Sequence, residues 1–242
     1  MVLFQMTRKI VGVYLITFVM GLMMISSCAT VDEDPSKPEG LYRLAEMDIE
    51  NDRYLLALEK LRKVKNKFPY SSYSVKAQLR IADVFFMQES FAEAAVSYQT
   101  FVELHPNHPK VNYALFRIGK SHYKDIPTTT ARDLTPGFQA KAALERYLSR
   151  FPDNTYTQEA KNLLNDTLER LAEKELYIGE FYLIRDRPKS ARKRFEKLLK
   201  LYPSTDVAQT AKRLLDQAIE DEQKHLERLR QEELEKAQEE AE

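Results

Sequence analysis

The segment ALEKLRKVKNKFP, residues 57–69, decides the fold because its pattern returns three times along the chain. The later copies are AAVSYQTFVELHP at residues 94–106, AKAALERYLSRFP at residues 140–152 and ARKRFEKLLKLYP at residues 191–203. Each copy begins with alanine and ends with an aromatic residue or histidine followed by proline. Self-similarity of this kind is typical of proteins built by stacking one small structural unit.

Three positions of every copy lie on one stripe of a helix. Alanine stands twelve residues before the proline, and large apolar residues stand eight and five before it; offsets of three and four share a helical face. Alanine lets a neighbouring helix approach closely, the larger residues fill the space between helices, and proline ends the helix. The predicted core residues are therefore Ala57, Leu61, Val64, Ala94, Tyr98, Phe101, Ala140, Leu144, Tyr147, Ala191, Phe195 and Leu198.

Small residues also precede the copies on an earlier helix. Ala45, Ala82 and Gly179 each lie 24 residues before a repeat proline, where a second close crossing is needed. Ile178-Gly179 followed by Tyr182 matches the Leu-Gly-x-x-Tyr core of the tetratricopeptide pattern. No stretch alternates at period two for long enough to indicate a sheet. The sequence predicts an all-α tetratricopeptide-repeat solenoid of about five helix pairs with a long C-terminal helix.

The spacing between the four prolines is irregular. It is 37, 46 and 51 residues, against about 34 in a regular tetratricopeptide repeat. We place an inserted loop at residues 125–135 and helical periodicity over residues 157–185, as one long helix or two nearly continuous ones. Ser90 and Thr155 are predicted to begin helices as capping boxes, and Pro136 and Pro188 suit the first turn of a helix.

The array is predicted to span residues 39–220 and to be followed by a charged helical tail at residues 221–242. Leu226, Leu229 and Leu234 are the only large apolar residues of the tail. A solvated helix is the first interpretation. A helix that uses its leucines to bind a partner is the alternative.

The first 28 residues have the organisation of a secretory signal. Arg8 and Lys9 precede an apolar run of 16 residues ending at Ile25, which is shorter than the ~20 residues of a membrane-spanning helix. Ile25-Ser26-Ser27-Cys28 resembles the lipobox of bacterial lipoproteins, whose cysteine is lipidated. We predict a signal peptide at residues 1–27 and a lipidated tether at residues 28–38, with the lipid attached to Cys28, the only cysteine of the chain.

The residue after the cysteine bears on location. In lipoproteins of this kind an aspartate at that position commonly retains the protein at the inner membrane, and this chain has Ala29 there. We therefore expect a protein anchored by lipid to the outer membrane and facing the periplasm.

Composition and motifs indicate a binding protein and no enzyme. The chain has 37 basic and 37 acidic residues, so it lacks the positive field expected of a nucleic-acid-binding protein. No glycine-rich phosphate loop, Gly-x-Ser-x-Gly or His-Glu-x-x-His motif occurs. His105 and His108 are spaced for metal ligation, but His105 occupies the helix-ending position filled elsewhere by Phe and Tyr. We predict no catalytic residue, no metal site and no cofactor besides the lipid.

Several motifs together carry a family resemblance. They are FPYSSYS at residues 68–74, HPNHP at residues 105–109, the inserted Arg132-Asp133, LAEKE at residues 171–175 and EFY at residues 180–182. With the lipobox, they strongly resemble the BamD family, the lipoproteins of the outer-membrane barrel-assembly machine. The resemblance covers about residues 41–205. Beyond Thr205 the chain departs from the family pattern, since a long charged helix replaces the short second helix of a fifth repeat.

The resemblance implies two kinds of partner. N-terminal repeats of the family are thought to receive unfolded outer-membrane proteins through their C-terminal signal. C-terminal repeats bind the central, BamA-like assembly protein, and companion lipoproteins are further candidate partners. Repeat architecture alone does not fix the partner, so a periplasmic adaptor for cell-wall or division proteins remains the alternative.

The C-terminal signals of outer-membrane proteins are rich in aromatic residues and end in a carboxylate, as the resemblance implies. A groove that binds them should therefore offer aromatic surface and positive charge. We expect it on the concave face of the array, on the first helices of the second and third repeats and the loop before them. About half of the phenylalanines there are expected to be core. The candidates are Tyr70, Tyr73, Arg80, Phe85, Phe86, Tyr113, Phe116, Arg117 and Tyr123.

Overall fold

The computed structural model describes residues 34–239, which form helices and no strand. The signal peptide and the predicted lipid site at Cys28 lie outside these residues. No helix within residues 34–239 is both long and apolar enough to cross a membrane. The helices are α1 (Pro38–Glu50), α2 (Tyr54–Lys67), α3 (Ser72–Met87), α4 (Phe91–Leu104), α5 (Val111–Lys124), α6 (Thr135–Arg150), α7 (Thr157–Ile184), α8 (Pro188–Leu201) and α9 (Val207–Glu239).

Consecutive helices pack side by side as hairpins. The pairs are α1–α2, α3–α4, α5–α6 and α7–α8, and each pair packs on the next. The predicted all-α solenoid is confirmed, and residues 157–184 form one long helix. Helix α9 packs on α8 and α7 in the place of the first helix of a fifth pair, and no second helix follows it before residue 239.

The twelve predicted core residues are all buried, at most 1% exposed. They belong to the second helices α2, α4, α6 and α8. Burying one large apolar side chain contributes about 1.5–3 kcal/mol, and no helix pair could bury its apolar stripe alone. The stripes therefore require stacking, which is why the repeat spacing identifies the fold.

Small residues mark the close crossings between helices. Ala45 and Ala82 are fully buried, as predicted. A Cβ atom added to Gly179 would lie 2.3 Å from Cε1 of Phe195, and one added to Gly119 would lie 2.7 Å from Cδ2 of Leu144. Real Cβ atoms essentially never lie so close to another atom, so a side chain at either point would force Phe195 or Leu144 to shift.

Three hairpins share one turn geometry. Asp52, Glu89 and Asp186 follow α1, α3 and α7 with positive φ angles of 56°, 59° and 51°. In each turn the next residue donates its amide to a carbonyl five residues back, as Ser90 does to Phe85 over 2.9 Å. This is the Schellman arrangement that ends many helices. The inserted loop, residues 125–134, replaces this turn between α5 and α6.

Helix starts agree only in part with the sequence. Pro136 and Pro188 lie in the first turns of α6 and α8, as predicted. Ser90 is the N-cap residue of α4, as predicted, but its side chain makes no capping bond. The capping box at Thr155 was wrong, because the residue before α7 is Tyr156. The ψ angle of 68° at Ser90 lies outside the usual extended conformation of a capping residue. Near α7, Thr157 accepts a bond from the Asn154 amide and fixes the turn instead.

Helix α9 continues from the array into the charged tail. Its first half packs through Ala208, Ala211, Leu214 and Ala218, which are buried. Glu222 then pairs with Arg192 of α8 at 3.0 Å. The leucines at positions 226, 229 and 234 are exposed, which is compatible with both interpretations of the tail.

Candidate functional site

The first helices of the pairs line one continuous face. Arg80 of α3 bonds to Glu46 of α1, Tyr113 of α5 to Asp83 of α3, and Tyr123 of α5 to an aspartate of α7. On the opposite side, an open groove separates α2 from α4. Stacked helix pairs of this kind form a concave surface. We call the face of α1, α3, α5 and α7 the inner face.

A connected set of polar and aromatic residues lies at the centre of this face. We call it the inner-face cluster, and it comprises Glu46, Arg80, Asp83, Phe86, Tyr98, Tyr113 and Arg117. Oδ1 of Asp83 accepts hydrogen bonds from the hydroxyl groups of Tyr98 at 2.6 Å and Tyr113 at 2.7 Å. One carboxylate thereby links α3, α4 and α5.

Both tyrosines remain protonated donors over the whole physiological range. Burial, followed by the charge of Asp83, raises the pKa of Tyr98 far above its usual value. The same causes raise the pKa of Tyr113 to about 12. The hydroxyl groups therefore act as fixed hydrogen-bond donors to Asp83, and ionisation does not disturb the cluster.

Arg80 is held by carboxylates of its own chain. Its Nε and Nη2 atoms donate to Oε1 and Oε2 of Glu46 at 2.9 and 2.6 Å, a bidentate pair of the strong, charge-assisted kind. Its Nη1 atom lies 3.6 Å from Oδ2 of Asp83. The charge of Arg80 is thus compensated inside the cluster.

Arg117 is held mainly by aromatic rings. The centre of its guanidinium lies 3.7 Å from the ring centroid of Phe86, and 5.5 and 5.6 Å from those of Tyr98 and Tyr113. Its Nε atom donates to the Tyr98 hydroxyl oxygen at 3.0 Å. A cation over aromatic faces in this range is attracted by the ring quadrupoles. The guanidinium is therefore fixed in position.

The remaining inner-face candidates are spread along the array. Tyr73 packs on Tyr42 of α1 with ring centroids 5.6 Å apart, toward the N-terminal end. Tyr123 donates to Asp166 of α7 at 2.6 Å, further toward the C-terminus. Tyr70 is fully exposed on the turn between α2 and α3. The structure brings Arg80, Phe86, Tyr113 and Arg117 together and leaves these three tyrosines outside the cluster.

Two groove candidates are corrected by the structure. Phe116 is buried, 2% exposed, and its ring stacks on Tyr156 at 4.9 Å, so it belongs to the core. Phe85 lines the groove on the opposite, outer side. Successive helical residues point about 100° apart, which is why Phe85 and Phe86 cannot share one face.

Three residues of the cluster were not among the sequence candidates. Tyr98 was recognised only as core, while Glu46 and Asp83 were not singled out. A signal existed for Asp83, because it is a lone carboxylate in the apolar segment IADVFF, residues 81–86. A charge in such a segment requires partners, and Arg80 stands three residues before it.

A second concavity, which we call the outer groove, lies between α2 and α4. It has a volume of about 430 Å³, and Ile81 and Phe85 contribute to its floor. On the α4 side, Val96 is 67% exposed. Arg62 and Lys65 of α2 form a basic rim. The outer groove differs from the inner face in having no acidic residue in its lining.

The two histidines spaced for metal ligation make structural contacts. His105 follows α4, and its Nε2 atom lies 3.0 Å from the side-chain oxygen of Gln78. The rings of His105 and His108 both pack on Phe101, with centroids 5.2 Å away. No group of three or more His, Cys, Asp or Glu side chains arranged to hold a metal occurs among residues 34–239.

Two lysines and an arginine stabilise the C-terminal half. Lys174 of α7 donates to three carbonyl groups of the inserted loop, those of residues 130, 131 and 132, at 2.7, 3.0 and 3.0 Å. Glu175, which is buried, accepts from Arg194 at 3.1 Å and from Lys197 at 2.5 Å, both on α8. These contacts fix the loop and α8 to the long helix α7.

Several known proteins resemble this chain over most of its length. The outer membrane protein assembly factor BamD of Vibrio cholerae serotype O1 is 29% identical over 181 residues, covering 71% of this chain and 75% of that protein. The protein of the same name from Neisseria meningitidis serogroup A is 24% identical over 223 residues, covering 85% and 83%.

Solved structures with a similar arrangement include that of MamA, with a TM-score of 0.39, 18% identity and coverage of 78% of this chain and 90% of that one. A thermophilic tetratricopeptide-repeat protein from Thermus thermophilus has a TM-score of 0.39, 15% identity and coverage of 76% and 99%. The family model YfiO, described as outer membrane lipoprotein, matches residues 34–236. Because this match covers well over half of the chain, the protein belongs to the YfiO family of outer membrane lipoproteins.

Proposed function

We propose that this protein is a lipid-anchored component of the machinery that assembles β-barrel proteins in the outer membrane. It binds unfolded outer-membrane proteins along its inner face and binds the central, BamA-like assembly protein through its C-terminal repeats. Membership of the outer membrane lipoprotein family and similarity to proteins named assembly factor BamD support this role. It acts by binding and not by catalysis.

The feature that best supports the proposed substrate binding is the inner-face cluster. It places one fixed guanidinium, that of Arg117, among the rings of Phe86, Tyr98 and Tyr113. Unfolded barrel segments offer aromatic side chains and backbone, and aromatic rings pair well with other rings. A concave face also suits an extended chain.

The C-terminal half supports binding of a folded partner. Helix α8, with the sequence PKSARKRFEKLLKL, contains six basic residues and one acidic residue. Arg194 and Lys197 are used by Glu175, whereas Lys193 and Lys200 make no ion pair within the part of the chain that the structure describes. An acidic surface on the partner would complement this helix and speed the encounter.

Co-purification tests the assembly role. The full chain, tagged at its C-terminus, is isolated from outer membranes solubilised in mild detergent, and the proteins that accompany it are identified by mass spectrometry. We expect the central barrel-assembly protein. Recovery of cell-wall or division proteins without it would reject the proposal in favour of a periplasmic adaptor.

The lipid anchor is tested separately. Cys28→Ser is expected to move the protein from the membrane fraction to the soluble periplasmic fraction. The variant lacks the cysteine that carries the acyl chains, and these chains are the proposed membrane anchor. Mass spectrometry of the wild-type N-terminal peptide should show acylated Cys28. An unmodified Cys28 in a membrane-bound protein would contradict this part of the proposal.

A further inference from the structure

The two edges of the array differ in charge at its N-terminal end. Because the helices alternate in direction, the turns within the helix pairs lie on one edge and the turns between pairs on the other. Within the first two pairs, the turns carry Asp52 and Glu89 at positive φ. The opposite edge contains the end of α2 and the turn into α3. From residue 60 to residue 82 the chain has seven basic residues and no acidic one, so this edge is positively charged.

Three lysines of this edge are not neutralised by carboxylates. Lys65 and Lys67 lie in the last turn of α2, and Lys76 follows on α3. All three are exposed, and none makes an ion pair within residues 34–239. Tyr70, on the turn between the two helices, is fully exposed. We call these four residues the lysine edge.

The proposed lipid anchor connects to the array at this edge. Residues 28 to 34 span at most about 20 Å when fully extended, and α1 begins at Pro38. Since α1 and α2 form an antiparallel hairpin, the start of α1 lies beside the end of α2. The ring centroids of Tyr42 on α1 and Tyr73 on α3 are 5.6 Å apart, so the first turns of both helices share this edge. An acyl chain on Cys28 would keep the lysine edge within reach of the membrane surface.

We propose that the lysine edge docks on the anionic headgroups of the leaflet that holds the lipid anchor, with the ring of Tyr70 among the headgroups. This inference rests on the lipid anchor of the proposed function. Lysines close to an anionic membrane surface are attracted to it, and tyrosine is favoured at membrane interfaces because its ring is apolar and its hydroxyl polar. Asp52 and Glu89 on the opposite edge would be repelled. The anchor limits the distance of the array from the membrane, and the lysine edge fixes which side of the array faces it.

A single introduced tryptophan tests the contact, because the chain has none. The lipidated full chain with Tyr70→Trp is reconstituted into phosphatidylcholine vesicles with or without phosphatidylglycerol, and quenching by brominated lipids reports membrane contact. The matched reporter is Leu55→Trp at the other end of α2, about 20 Å away, where the leucine is 77% exposed. We expect quenching and blue-shifted emission at position 70 with phosphatidylglycerol, reversed by high salt, and neither at position 55.

Charge variants assign the contact to the lysines. The triple variant Lys65→Gln, Lys67→Gln and Lys76→Gln should lower the ratio of docked to undocked protein about 100-fold, at about fivefold for each lysine. Quenching at position 70 is then lost while the lipid keeps the protein on the vesicles. The control variant removes three exposed lysines elsewhere that make no ion pair in the described part of the chain, and it should keep the quenching; it is Lys161→Gln, Lys193→Gln and Lys212→Gln. Circular dichroism melting verifies that each variant folds.

Several results would overturn this docking. Equal quenching at positions 70 and 55 would mean that the anchor alone brings the array to the membrane. Quenching at position 70 that survives the triple variant, or that occurs equally without phosphatidylglycerol, would exclude an electrostatic contact. A spectral change at position 70 that requires the central barrel-assembly protein would assign the edge to a protein partner. In each case the protein stays on the vesicles and the anchor stands, whereas release of the wild-type protein from the vesicles would contradict the anchor itself.

Discussion

The hydroxyl of Tyr98 lies 2.6 Å from Oδ1 of Asp83, and this contact joins the solvent-facing inner face to the core. Tyr98 itself is fully buried on α4, whereas Asp83 lies on α3 and is only partly covered. The repeat pattern places a large apolar residue at position 98, where the other copies have Leu61, Leu144 and Phe195. Tyrosine at position 98 fills the same space in the core as those residues, and its hydroxyl group reaches Asp83 of the inner-face cluster.

Removing this hydroxyl should affect stability. We expect Tyr98→Phe to lower the free energy of unfolding by about 1–2 kcal/mol, because Asp83 and Arg117 each lose a partner in a buried environment. Urea denaturation followed by circular dichroism measures the change. Tyr113→Phe is the control, with a smaller loss since Tyr113 is only half-buried. Equal stability of Tyr98→Phe and the wild type would contradict this account of the cluster.

Gly179 should not tolerate a side chain. Gly179→Ala would place a methyl group 2.3 Å from Cε1 of Phe195, and we expect a loss of about 1–3 kcal/mol in the free energy of unfolding from overpacking. The added Phe195→Leu change should recover part of the loss in a double-mutant cycle.

Gly137→Ala is the matched control for this prediction. The nearest atom to its added methyl group would be Cδ2 of Leu171 at 3.1 Å, the end of a flexible side chain. Alanine is also favoured over glycine in a helix by about 0.5–1 kcal/mol. We expect little net change at this position, and a loss as large as that of Gly179→Ala would argue against close approach as the cause.

The sequence predicts the framework of this fold because packing imposes strict spacing. Helices that bury one stripe must place alanine, a large residue and another large residue at fixed offsets before the terminating proline, and Ala140, Leu144 and Tyr147 do so before Pro152. The long helix α7 follows from its continuous periodicity. The capping boxes at Ser90 and Thr155 were not predictable in the same way, since a short motif fixes no backbone angles.

The site was less predictable than the fold for a physical reason. Residue type identifies aromatic and basic candidates, but the helical phase decides which face each one occupies. Adjacent residues Phe85 and Phe86 consequently belong to the outer groove and the inner face. The partners of Arg80 and Arg117 come from other helices, and no local pattern shows that one charge is compensated and the other is not.

Backbone strain at Glu89 offers a stabilising substitution. Its φ angle is 59°, a left-handed conformation that costs an ordinary side chain about 1–2 kcal/mol. Glu89→Gly relieves that cost but makes the unfolded chain more flexible, so we expect a net gain of about 0.5–1 kcal/mol in the free energy of unfolding. Thermal and urea unfolding measure it. Glu89→Ala, which keeps the strain, should change little, and a gain of the same size from alanine would refute the explanation.

Lys174 should control the order of the inserted loop. Its ammonium group donates to three carbonyl groups of residues 130–132, so Lys174→Met leaves those carbonyls without their shared donor while keeping a similar apolar stem. We expect faster amide hydrogen exchange at residues 127–134 and earlier proteolytic cleavage there, with the protection of α5 and α6 unchanged. Lys141→Met is the control, because Lys141 pairs with Glu145 on its own helix and makes no hydrogen bond or ion pair to the loop within residues 34–239. If both variants gave wild-type exchange in the loop, its order would have to come from the packing of Ile126 and Leu134, which are buried, and not from the lysine.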